Sequence, residues 1–173
     1  GRRLLTTWEG GLPFKLDTKT LSTDGPSKLG GVTRRETDPF GSKMSIDSQS
    51  KRAIFYGIEQ GTRSSELTIY EFDSSFSLIE KKAINLPGFA LVNDFCSTEN
   101  YAIFIQPNID ANALQFMMSK EPAKTLTVRD SPGTLHLIPR TGSKRTQLGI
   151  KIPAQGPSET DASFCNASDD RRN

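Results

Sequence analysis

The amino-acid sequence predicts an all-β protein. Short apolar or alternating runs recur about every ten residues, and turn-forming residues separate them. Only one stretch, residues 111–120 with Leu114-Gln115-Phe116-Met117-Met118, offers a short helix, and it reads equally as an apolar loop. That rhythm belongs to a sandwich, a barrel or a propeller, and periodicity does not choose among them.

Residues 4–8 are apolar and β-prone, and Gly10-Gly11 ends them. Phe14-Lys15-Leu16-Asp17 alternates, and Thr18-Lys19-Thr20 leads on to Leu21. Asp24-Gly25-Pro26 and Gly30-Gly31 are turn signals. Residues 52–57 read as a buried strand, and residues 67–73 alternate as a half-buried strand does. Residues 77–84 follow a polar turn and are expected to pair back as a hairpin. Residues 90–96 and 101–106 give two more strands, joined at Ser97-Thr98-Glu99-Asn100. Further strands are expected at 125–128, 134–139 and 146–152. Beyond Pro153 the chain turns polar, with Phe164 as a single apolar island.

The 173 residues, 34% of them hydrophobic, suffice for one domain over 1–173 with a modest core. A formal net charge of +2 on 22 basic and 20 acidic residues gives no basic field, so no nucleic-acid partner is expected. Thr33-Arg34-Arg35-Glu36 reads as a solvated loop. No apolar run approaches the roughly 20 residues that cross a bilayer. The first residues, Gly1-Arg2-Arg3-Leu4-Leu5, carry neither initiator Met nor hydrophobic signal core, as in a processed chain or a fragment. Two cysteines, Cys96 and Cys165, are too few for a disulfide framework and are expected as free, buried thiols. Asn166-Ala167-Ser168 fits a glycosylation triplet, but such triplets arise often by chance, and an intracellular location (plastid or cytoplasm) is expected.

Several segments, in order, resemble the carotenoid cleavage oxygenase (retinal pigment epithelial membrane protein) family. Thr7-Trp8-Glu9-Gly10-Gly11-Leu12-Pro13 with Leu16-Asp17 and Thr20-Leu21 resembles its "WEGG-P-x-x-LD…TL" stretch. Pro39-Phe40 followed by Ile46-Asp47 resembles "PFTAHPKxD", and Phe55-Tyr56-Gly57 and Tyr70-Glu71-Phe72-Asp73 resemble the next two strands. Leu86-Pro87-Gly88, Asp94-Phe95 and Thr98-Glu99-Asn100-Tyr101 resemble "LPGPxMMHDFAITENY". Ile138-Pro139-Arg140 resembles "GVIPR", and Asn166, Ala167 and Asp169 resemble the end of "FHxxNAWE". Members of the family are about three times longer, so the chain resembles an internal segment.

The resemblance implies a partial seven-bladed β-propeller of roughly three blades. In the family, four histidines hold a non-haem Fe(II) on the propeller axis, and glutamates orient the rings. The activity implied is O2-dependent cleavage of a double bond in a carotenoid, apocarotenoid or related polyene. Neutral imidazole suits Fe(II), and a carboxylate on the other ring nitrogen fixes the tautomer. Apolar walls would hold the polyene, and missing regions would allow peripheral membrane contact.

The metal positions depart from the family. Aligned on the motifs, the ligand positions carry Lys43, Asn93 and Ser163, none a histidine. An ammonium has no lone pair to give, and an amide oxygen or a hydroxyl binds ferrous iron weakly. His136, the one histidine, lies in the "GVIPR"-like strand, where the family has no ligand, and is expected as an ordinary sheet residue. An extended strand would put Asn93, Phe95 and Ser97 on one face and Cys96 on the other, so the thiols make no replacement site. Glu9 matches an orienting glutamate whose ring is missing; a Glu9–Lys43 pair would compensate the charge. Asp94, Phe95, Asn166 and Asp169 are expected to shape the scaffold.

Fe(II) is therefore not expected on this chain, nor is turnover. The alternatives are an active dioxygenase with ligands supplied differently and a non-enzymatic apolar-ligand-binding or interaction module. A third of a ring would also leave two blade edges and an apolar inner face open, so poor solubility is expected of the chain alone.

Overall fold

A computed structural model of the chain describes residues 4–8, 11–33, 38–61, 63–111, 115 and 118–153. Over these residues the chain is built from short strands in four sheets. It divides into two compact units: Gly1–Glu59 with Leu67–Ala83, and Gln60–Glu66 with Ile84–Asn173.

β1 (Leu4–Thr6), β2 (Phe14–Leu16) and β3 (Thr23–Pro26) form a three-stranded sheet in chain order. β3 replaces the turn expected at Asp24-Gly25-Pro26. It is an edge strand, where a proline's missing N–H costs nothing, and Lys15 on β2 pairs with Asp24 at 3.1 Å.

The second sheet has the order β4 (Met44–Asp47), β5 (Arg52–Glu59), β6 (Ser64–Phe72), β7 (Leu78–Pro87). The hairpin expected for residues 67–73 and 77–84 is β6 beside β7. β4 was not legible as a strand because its apolar residues, Met44 and Ile46, face solvent at an edge. β5 and β6 are buried on both faces: residues 54–58 and 67–72 are buried without a break. On one face Phe55, Tyr70 and Phe72 join Leu29 and Phe40 in an aromatic core. Phe40 stacks on Tyr70 at 5.5 Å, and Phe55 meets Phe72 edge-on at 5.7 Å. On the other face the carboxylate of Glu71, 2% exposed, accepts from the Arg52 guanidinium at 3.3 Å.

One aspartate opens each of three hairpins. Asp17 accepts from the Lys19 and Thr20 amides, Asp47 from those of Gln49 and Ser50, and Asp73 from those of Ser75 and Ser77. Each turn then holds a side chain at positive φ, at Leu21, Lys51 and Phe76. The aspartates of the "LD", "xD" and "YEFD" motifs are thus turn-formers.

The third sheet has the order β13 (Leu148–Ile152), β12 (Gly133–Pro139), β9 (Tyr101–Gln106), β8 (Phe95–Ser97). All its pairings are antiparallel. Register sets Phe95, Phe104, His136 and Gly149 in one row, and Cys96, Ile103, Leu137 and Leu148 in rows on the other face. The first face is buried at Phe95, Ala102, Phe104, Gln106, His136 and Ile138. The second is just as apolar but only part-covered, with Leu148 44% and Ile150 45% exposed.

β10 (Ile109–Ala111) and β11 (Leu126–Val128) form a small hairpin between β9 and β12. Within the expected helix, Gln115 and Met118 are helical and the Gln115 carbonyl accepts from the Ser119 amide; the residues between and before them lie outside the described set. The strand expected over residues 90–96 begins only at Phe95. Before it the backbone bonds elsewhere: the Gly88 amide donates to the Arg63 carbonyl and the Ala90 amide to the Ser65 hydroxyl, and Gly88 has φ of 67°. Cys96 is disulfide-bonded, which corrects the expected free thiol. A low cysteine count excludes a framework of bridges but not a single one. Cys165 lies outside the described residues.

Candidate functional site

Lys43 lies in the first unit, one residue before β4. Four contacts fix the stretch that carries it. The Gly41 amide donates to the Tyr56 carbonyl at 2.8 Å, and the Thr7 hydroxyl donates to the Ser42 carbonyl. The Pro39 carbonyl oxygen lies 2.1 Å from where a Cβ on Gly57 would stand. The Tyr56 ring lies against Gly41 so closely that a Cβ there would meet it at 2.5 Å. Only glycine fits at either position. From this mount the Lys43 side chain is exposed.

Asn93 lies in the second unit, two residues before β8. Both described positions that the family motifs single out therefore stand just before the first strand of a four-stranded sheet whose strands run in chain order. Polar side chains hold the stretch leading to Asn93. The Ser65 hydroxyl, buried, donates to the Gly88 carbonyl and accepts from the Ala90 amide, both at 2.9 Å. Gln106 donates to the Pro87 carbonyl at 2.8 Å. Asn93 itself is exposed and outside any strand, so strand alternation does not govern where it sits.

Asp94 accepts from the Phe95 amide at 2.8 Å, and buried Phe95 stacks on Phe104 at 5.1 Å. At the far end of the sheet, Arg140 is buried. Its guanidinium donates to the Thr98 carbonyl and its amide to the Asn100 carbonyl. The "IPR" and "TENY" motifs are thus two halves of one clamp on the β8–β9 turn.

His136 is a buried residue of β12 that shares a hydrogen bond of 2.8 Å with Gln106. The Pro87 carbonyl can only accept, so the Gln106 amide nitrogen faces it and its oxygen faces the ring. His136 Nε2 therefore carries a proton and offers no lone pair to a metal. Burial, and after it the charge of Lys151, holds the ring's pKa below the usual histidine value.

Glu9, Ser163, Asn166 and Asp169 lie outside the described residues. Lys43 and Asn93 fall in different units. Among the described residues no three His, Cys, Asp or Glu side chains group so as to hold a metal ion. The donors at the two described positions do not fit a ferrous ion: one is a cation without a lone pair, the other a neutral amide. Also among the described residues, no helix is long and apolar enough to cross a membrane, which leaves strands unaddressed.

Sequence reasoning passed over Gln106 and Ser65 and took Arg140 only as part of a family motif. For Gln106 a signal existed. Ala102, Phe104 and Gln106 share a face at period two, so a carboxamide is aimed into an apolar layer.

The family described as Retinal pigment epithelial membrane protein matches residues 1–166. The chain is 33% identical, over 87% of its length, to the apocarotenoid-15,15'-oxygenase of Synechocystis sp., covering 32% of that protein. It is 27% identical over 86% of its length to resveratrol cleavage oxygenase 1 of Botryotinia fuckeliana, covering 26%. It is 26% identical over 88% of its length to the isoeugenol monooxygenase of Pseudomonas putida, covering 31%. The crystal structure of cobalt-substituted Synechocystis ACO superposes with a TM-score of 0.78 at 32% identity, covering 87% of this chain and 32% of that one. The chain thus spans between about a quarter and a third of the length of these relatives.

Proposed function

Because the chain belongs to the retinal pigment epithelial membrane protein family, we propose that it is a roughly three-bladed segment of a carotenoid-oxygenase-type propeller whose iron site has been lost. The observation that carries this reading is the pair Lys43 and Asn93. Each stands at the same place in its sheet, just before the first strand, and neither is a histidine. Two four-stranded sheets in chain order and a three-stranded one support the blade count. In this reading the Fe(II) and O2 chemistry of the family finds no histidine at residues 43, 93 or 163. Ser163 adds at most a hydroxyl as third donor, and Glu9 would serve Lys43 as a counter-charge instead of orienting a ring.

Metal content tests this. The purified chain, loaded anaerobically with ferrous iron and desalted, should retain far less than one iron per chain. The triple variant Lys43→His, Asn93→His, Ser163→His should retain more. Stoichiometric iron in the unsubstituted chain sinks the proposal. Equal, negligible retention by both proteins removes the support for this register.

A second reading, an interaction or apolar-ligand module without turnover, is favoured by the part-covered aliphatic face of the third sheet. Ile103, Ile105, Leu135 and Leu137 lie there beside Leu148 and Ile150. Saturable binding of a polyene, seen as a shift of its absorption without bleaching, would select this reading.

A further inference from the structure

We propose that His136 is an acid-sensitive latch on residues 87–92, the stretch that leads to Asn93. The latch is a chain of two hydrogen bonds in the second unit: His136 Nε2–H to the Gln106 oxygen, and the Gln106 amide nitrogen to the Pro87 carbonyl, each 2.8 Å. It closes on a stretch that has no ladder of its own. Between Pro87 and Phe95 the backbone is irregular, and the Gly88 and Ala90 amides donate to the Arg63 carbonyl and the Ser65 hydroxyl.

The surroundings make the ring a poor place for a charge. β8, β9, β12 and β13 carry no carboxylate at all. On the face that holds His136, β8 contributes Phe95 and Ser97, and β9 contributes Ala102, Phe104 and Gln106. β13 contributes Gly149 and Lys151, and Lys151 is a cation whose ammonium donates to Thr134. Arg140, at the end of β12, is committed to the Thr98 carbonyl. Asp94, ahead of β8, accepts from the Phe95 amide. Arg63 and Glu66, from residues 60–66, are exposed.

A proton added at Nδ1 therefore charges a ring that lies in an apolar layer beside a like charge. The ring gains its missing solvation by moving outward. That movement withdraws the Nε2–H from Gln106, and Gln106 then releases Pro87. Neutral His136 keeps the latch shut, so it is closed above the ordinary histidine pKa. It loosens as pH falls from that value toward the lowered one. The ratio of closed to open forms can change by up to about tenfold per pH unit within that window.

Amide hydrogen exchange on the full chain reads this directly. The Gly88 and Ala90 amides report the latched stretch, and the Gly41 amide, bonded in the first unit, reports global opening. Corrected for intrinsic rates, protection at Gly88 and Ala90 should fall at least about threefold between about pH 7 and pH 5.5 while Gly41 holds. His136→Gln keeps a donor for Gln106 without a titrating ring and should flatten the response. Flat protection in the unsubstituted chain, or a parallel loss at Gly41, overturns the latch. So does an unchanged response in His136→Gln. A ring titration that places His136 at or above the ordinary histidine value overturns it without any variant.

Discussion

The two four-stranded sheets share an order and differ in how they are covered. β5 and β6 are buried on both faces; β5 carries a nearly continuous apolar run, and β6 alternates apolar residues with the buried Thr68 and Glu71. The β8-β9-β12-β13 sheet is buried on one face only, yet its other face is equally aliphatic. Apolar composition is thus set by what a sheet is built to pack against, and burial by what is present. A sheet with two apolar faces and one cover has an open face on which further apolar surface could pack.

The largest test of the comparison is truncation on each side. Phe55→Ala empties part of the aromatic core of the first unit and should cost about 3–5 kcal/mol, enough to unfold a marginal domain. Ile105→Ala on the part-covered face should cost about 1 kcal/mol, since less of the side chain leaves water on folding. Equal costs in denaturant melts would mean that the second face is covered in solution.

Next comes association. Leu148→Lys with Ile150→Lys should raise solubility and shift sedimentation toward monomer, with stability changed by less than about 1 kcal/mol. A sharp, monomeric, cooperative melt of the unsubstituted chain would contradict the premise that this face is sticky.

Smaller effects separate the turns from the sheets. Lys51 sits at φ of 54°, so Lys51→Gly should stabilise by about 0.5–1 kcal/mol, measured by thermal melting. The smallest is an acid slope. Asp73 is held below the usual aspartate value by the Ser75 hydroxyl and then the Ser77 amide, and Asp17 by the Thr20 and Lys19 amides. Their folded pKa values are lowered, so their contribution is present above the ordinary aspartate pKa and is lost as pH falls below it. Asp17→Asn with Asp73→Asn should flatten stability in that acid range. It should leave the range near the histidine pKa, where His136 acts, unchanged.

Much of this was legible in the sequence. The strand at 101–106 coincides with β9 and 52–57 lies within β5, because alternation and apolar runs report burial; 67–73 overlaps β6, but its alternation suggested a half-buried strand and both of its faces are covered, Thr68 and Glu71 included. Family motifs, without any structure, pointed to residues 43, 93 and 163 as the positions to inspect. What escaped were strands whose formation depends on partners far along the chain. β3 is made of turn residues, and β4 shows its apolar side chains to solvent. The stretch 90–94 has strand-like composition, but the Ser65 hydroxyl takes the Ala90 amide that a ladder would have used. The Gln106 relay was missed because a single polar residue at the end of an apolar strand looks like the strand's boundary.

Gly57 has a bearing on reuse. Because a lone hydrogen there lets the Pro39 carbonyl settle onto β5, the coordinates of residue 43 are dictated by the sheet beneath it, whatever side chain it bears. A designer wishing to install a new ligand, cofactor tether or probe at this spot inherits a preset socket, and need change only the residue plugged into it.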